Sequence, residues 1–164
     1  MFLNYIELYR YKRMALNNIN LIRITPTSKV QTILGTNGSG KSSLLSELSP
    51  LPAVSTNYHK DGYKKSSYIH NGREYFLEST FSPSQKHSFK IGIDGEELNR
   101  GGTISVQKEL VAQHFGLKQH HHDLLTGLEK FTSMSPIRRR EWFTELCDTN
   151  YDFALSMYNK VKER

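Results

Sequence analysis

A mixed α/β fold built around a phosphate-binding loop is predicted by three features of this 164-residue sequence. Residues 35–42, GTNGSGKS, fit the spacing G-x-x-x-x-G-K-[ST], with an apolar run before them and helix formers after. Asn71-Gly72 lies between two β-prone arms and Asp94-Gly95 follows another, the local pattern of tight hairpins. After Gly101-Gly102 the apolar residues change to helical spacing.

The elements follow in order. FLNYIELYRY, residues 2–11, alternates apolar and polar residues and is rich in Tyr and Ile, which predicts a strand. INLIRIT, residues 19–25, predicts a second strand before Pro26. VQTILG, residues 30–35, is a short apolar run expected to be the strand that feeds the glycine loop. SSLLSEL, from Ser42 to Leu48, is expected to be helical and to end before Pro50 and Pro52. SSYIHNGREYFLESTF predicts a β-hairpin, and SFKIGIDGEELNR a further strand and turn. In ISVQKELVAQHFGL, Val106, Leu110, Val111 and Phe115 mark a helix that stops at Gly116. Ser135 as N-cap and Pro136 at the first helical position open one long helix, expected to run to Arg164 without a stop signal. Two domains are therefore expected, 1–135 and 136–164.

Composition sets the bounds. A hydrophobic share of 37% is enough for a packed core. No apolar run approaches the ~20 residues that cross a bilayer, so no membrane association is expected. The amino terminus reads as a strand rather than a signal peptide, because it lacks an uninterrupted apolar stretch. Cys147 is the single cysteine, which excludes an internal disulfide and fits the reducing cytoplasm. A net charge of +6 is compatible with a nucleic-acid partner without requiring one.

Each part of the loop has a chemical task. Glycines permit positive φ and let backbone N–H groups approach phosphates closely. The following helix adds its positive dipole end. Lys41 is placed to reach the β- and γ-phosphates of ATP, and Ser42 to ligate Mg²⁺.

ELYRYKRMALNNINLI followed by TILGTNGSGKSSLLSEL resembles the N-terminal lobe of SMC-like ABC ATPases. More narrowly, it is similar to the SbcC-type ATPase subunit of double-strand-break repair and recombination nucleases. YIHNGREYFLESTF, FKIGIDGEEL and the downstream FGL resemble that family's β-hairpin insert. FTSMSPIRRREWFTELCD resembles the segment leading into its ascending coiled coil, with wording similar to phage-encoded versions. The resemblance implies an ABC-type N-lobe whose C-terminal helix begins a coiled coil. It implies ATP and Mg²⁺ as cofactors and an ATP-dependent homodimer. Its partners would be a C-terminal ATPase lobe, a metal-dependent nuclease subunit and double-stranded DNA.

Carried over residue by residue, Asn37, Gly38, Gly40, Lys41, Ser42 and Ser43 match the family's phosphate loop. Lys12 and Arg13 match its basic pair at the first-strand turn, which reaches the nucleotide; the alternative is a solvated edge of a basic strand. The family's Gln, which serves the metal and the attacking water, has no counterpart at the matching place. Gln119, further upstream, is the nearest candidate. The Walker B acidic pair, the ABC signature and the switch histidine are not recognisable, so hydrolysis is expected to need the C-terminal lobe. Two other functions stay open, a small P-loop phosphotransferase and a non-catalytic basic DNA-binding module.

Four further stretches carry weaker signals. Three consecutive histidines in QHHHD, residues 119–123, cannot all face one ion from a regular element, which favours a surface turn over a metal site. Arg138, Arg139 and Arg140 splay around a helix and read as a solvated face. Lys60, Lys64 and Lys65 stand among tyrosines in an expected loop, a composition that suits DNA. Trp142, Phe143 and Cys147 read as packing residues.

Overall fold

A computed structural model of the protein describes residues 1–28, 30–146 and 152–162. The chain divides into two compact units, Met1–Thr126 and Gly127–Arg164. Among the described residues no helix is long and apolar enough to cross a membrane.

The first unit is a six-stranded antiparallel sheet with helices packed against it, a mixed α/β architecture. Its strands are β1 (Phe2–Tyr11), β2 (Leu21–Ile24), β3 (Tyr58–His70), β4 (Arg73–Phe81), β5 (Ser88–Ile93) and β6 (Glu96–Glu97), in the order β2-β1-β3-β4-β5-β6. Both expected turns close antiparallel pairs. Asn71 and Gly72 take φ of 51° and 75°, and Asp94 and Gly95 take 51° and 91°. Positive φ at both central residues gives the turn a twist that matches its strands.

Strand alternation sends Ile6, Leu8, Tyr68, Leu77 and Ile91 to the same, buried face. Helix α3 (Ile104–Phe115) contributes to that core through Val111, and Gly116 ends it with φ of 64°. The apolar spacing placed Val106 on the inner stripe, but Val106 is exposed and Gln107 is buried instead. Gln107 belongs there because its Nε2 donates to the carbonyls of Glu78 (3.4 Å) and Lys90 (2.8 Å), tying the helix to the sheet.

VQTILG is not a strand. Residues 30–35 carry no sheet pairing, and Val30 and Leu34 are 81% and 87% exposed. β propensity is expressed only against a neighbouring strand, and β2 closes this edge of the sheet with no further strand described beside it. Ile33 alone packs against the core.

The second unit contains helices α5 (Pro136–Leu146) and α6 (Asp152–Lys162). Ser135 caps α5 as expected, its Oγ accepting from the Arg138 N–H at 3.3 Å, a bond typically worth about 1 kcal/mol. The expected single helix from Pro136 to Arg164 is described as these two helices. Residues 147–151, with Cys147, and residues 163–164 lie outside the described residues. Two of the three arginines are engaged rather than simply solvated. Arg138 pairs with Glu129 at 3.1 Å, and Arg139 donates to the Met134 carbonyl at 3.1 Å. Trp142 is buried, while Phe143 is exposed and meets Phe131 edge-on.

Candidate functional site

The loop from Gly35 to Ser43 joins the irregular segment 30–35 to helix α2 (Lys41–Glu47). Its glycines are conformationally required. Gly38 and Gly40 have φ of 81° and 90°, a region that side chains strain. The Ser39 N–H donates to the Thr36 carbonyl at 3.2 Å, closing a tight turn around Asn37 and Gly38. The Leu44 N–H donates to the Gly40 carbonyl at 2.9 Å and starts the helix. The Lys41 ammonium folds back over the loop and donates to the carbonyls of Gly35 and Thr36, both at 2.8 Å. Asn37, Gly38 and Ser42 are exposed, and the Ser42 hydroxyl is bonded to no other described residue.

A short helix, α1 (Lys12–Ala15), follows β1 and packs on this loop. The side chain of Met14, 4% exposed, lies against Gly40. Tyr11, one residue before α1, donates its hydroxyl to the Ser43 carbonyl at 3.3 Å. The structure therefore brings the Lys12–Arg13 turn beside the glycine loop. Lys12 donates to the Thr56 carbonyl at 2.8 Å, and Arg13 is exposed.

The far end of α2 is held by a polar clamp. Lys64 of β3 donates to the carbonyls of Ser49 (2.9 Å) and Leu51 (3.0 Å) and lies 3.5 Å from the Glu47 carboxylate. Tyr58 donates to Glu47 at 3.2 Å and Tyr68 to the Leu48 carbonyl at 2.8 Å. Burial pulls the Lys64 pKa below that of an ordinary lysine, with Glu47 opposing the shift. Burial pushes the Tyr58 hydroxyl well above its usual value, and the neighbouring Glu47 carboxylate adds to the effect. These side chains fix the carbonyls of the segment just past α2, Leu48 to Leu51, and so hold the far end of that helix.

Helix α4 (Gln119–Leu125) touches the same end. His122 is buried, and its Nε2 donates to the Ser46 carbonyl at 2.7 Å, with Nδ1 lying 3.3 Å from the Asp123 carboxylate. QHHHD is thus helical rather than a turn. Gln119 is not brought to the loop. Its amide donates to Asp123 on its own helix at 2.9 Å, and α4 meets α2 at Ser46, away from Lys41.

The expected basic loop is strand β3. Its Lys64 is buried in the clamp, Lys65 pairs with Glu78 at 3.3 Å, and Lys60 is exposed. Three residues escaped the sequence reading: Met14, which meets the loop at Gly40, and Lys64 and His122, which hold the far end of α2. A signal existed for Lys64, since it shares strand parity with Tyr68, the residue that would face a core. No protein-family model and no curated protein matches the chain.

Proposed function

We propose that this chain is the ATP-binding lobe of an SMC-like ABC ATPase, similar to the SbcC-type subunits that power DNA-end-processing nucleases. The observation that carries the reading is the loop itself: two left-handed glycines, a lysine arched over the loop carbonyls, and a helix beginning at that lysine. These features support a reading in which loop amides and Lys41 together take phosphates. The exposed Ser42 fits a Mg²⁺ ligand through its hydroxyl, and the ion would supply neutralisation of β/γ charge when bound. The wholly antiparallel sheet supports an N-lobe with a hairpin insert over a phosphotransferase, which needs parallel strands alternating with helices.

On this reading the chain's own residues bind and orient. Lys41 holds the terminal phosphates, Lys12 and Arg13 lie beside them, and Met14 and Tyr11 set the loop's position. Orienting the attacking water is a separate task, and Gln119 is engaged elsewhere. No described carboxylate is bonded to the loop. Hydrolysis would therefore require a C-terminal ATPase lobe, with ATP driving a homodimer that signals to a metal-dependent nuclease and to double-stranded DNA.

The 164-residue polypeptide alone is expected to bind Mg-ATP and release negligible phosphate, and to remain a monomer in ATP until a C-terminal lobe is supplied. Phosphate-release assays and sizing with and without Mg-ATP are the check. Robust turnover by the monomer would replace this reading with a self-contained enzyme. The basic turn offers a second test. Removing both charges in Lys12→Ala/Arg13→Ala is expected to weaken ATP about fivefold and AMP less than about twofold, because the loss falls on the outer phosphates. Equal effects on the two nucleotides, measured by calorimetry, would return the pair to a solvated edge.

A further inference from the structure

We propose that Met14 is a positioning residue of the phosphate site, its thioether coupling the Lys12–Arg13 turn to the glycine loop so that both bind as one unit. The inference rests on the nucleotide reading above and adds how its two halves are joined.

The contact is close and specific in place. A Cβ built on Gly40 would lie 2.9 Å from both Sδ and Cε of Met14, so the thioether occupies the space that any side chain at 40 would need. Gly40 is the left-handed residue immediately before Lys41, with φ of 90°. A displacement there swings the lysine and the first helical turn together. Met14 itself is well anchored. Its carbonyl accepts from the N–H groups of Asn17 (2.9 Å) and Ile19 (3.2 Å), and its side chain shares a core cluster with Leu44 and Tyr58. Successive residues on one helical turn point in different directions, so a buried Met14 leaves Lys12 and Arg13 facing outward from the same turn. Tyr11 and Ser43 make a second tie between the two segments.

Methionine suits the task. An unbranched thioether conforms to the bare backbone of a glycine, whereas alanine would leave a gap and a β-branched residue could not extend as far. A residue that only filled the core would be indifferent to which backbone it met. Here the tip of the side chain rests on Gly40, the left-handed residue that leads into Lys41.

The test compares Met14→Ala, Met14→Leu, Lys12→Ala/Arg13→Ala and the combination of Met14→Ala with the double variant. Mg-ATP affinity is measured by calorimetry, thermal stability in parallel, and amide hydrogen exchange at residues 38–43 without nucleotide. Met14→Ala is expected to weaken Mg-ATP about tenfold and to speed exchange in the loop, with Met14→Leu recovering to within about threefold. In the background lacking both cations, Met14→Ala should cost less than about threefold, because the coupled charges are already gone. Lower thermal stability with unchanged affinity and exchange would reduce Met14 to packing and overturn the proposal. A full tenfold loss without the two cations would overturn the coupling. If the unaltered protein binds no Mg-ATP, the nucleotide reading fails, and the proposal fails with it. That outcome is distinct from failure at Met14 alone.

Discussion

Lys41→Ala is expected to weaken Mg-ATP binding by about two orders of magnitude or more while the fold survives. The ammonium is arched over the loop, bonded at 2.8 Å to Gly35 O and Thr36 O. Those carbonyls are placeholders of the same polarity as phosphate oxygens, but they carry no formal charge. Both bonds already have a charged donor, and exchanging the neutral carbonyls for a phosphate adds an oppositely charged acceptor, with hydrogen bonds to charged groups worth about 1.5–3 kcal/mol each. Loss of two such bonds accounts for the predicted change, since about 1.4 kcal/mol is tenfold in affinity. The fold should persist because Lys41 touches only the loop and belongs to neither core cluster. Calorimetry with circular dichroism on the variant is the measurement. Undiminished affinity in a folded Lys41→Ala protein would remove the phosphate-loop assignment.

What was legible in the sequence had local causes. Asn71-Gly72, Asp94-Gly95 and Gly116 were readable because positive φ is a property of single residues, and all adopt it. Ser135 was readable because a cap needs only a hydroxyl two or three residues before an amide. The loop was readable for the same reason: Gly38 and Gly40 are demanded by its backbone. What was not legible depends on partners far away in the chain. Residues 30–35 have strand composition but no adjacent strand among the described residues to pair with. Val106 and Gln107 are adjacent on α3, and hydrophobicity favours the first. Two carbonyl acceptors, on β4 and β5, decide for the second. Gln119 is suggested by a family role, and in the structure its amide donates to Asp123 on its own helix.

Lys64 is the clearest case of a residue whose role reverses between sequence and structure, and it carries the second large expected effect. In the sequence it is one of several lysines among tyrosines, an apparent surface charge. In the structure its side chain is 5% exposed and faces Glu47, itself 7% exposed, at 3.5 Å. A buried pair contributes little net stability, because desolvating two charges costs about what their attraction returns. Breaking one side is different. Lys64→Met keeps the aliphatic bulk but strands the Glu47 carboxylate and removes the donor to Ser49 O and Leu51 O. A loss of about 3–5 kcal/mol in urea unfolding is expected. Adding Glu47→Leu to Lys64→Met should recover a substantial part of that loss, because no uncompensated charge is then buried. The two carbonyls would still lack their donor, so recovery should be incomplete. Simple additivity of the two single variants would show that the pair is not coupled. The clamp grips α2 at its carboxyl end, away from Lys41, so folded Lys64→Met should bind Mg-ATP within about twofold of the unaltered protein. A large affinity loss in the folded variant would instead place the clamp in control of the loop.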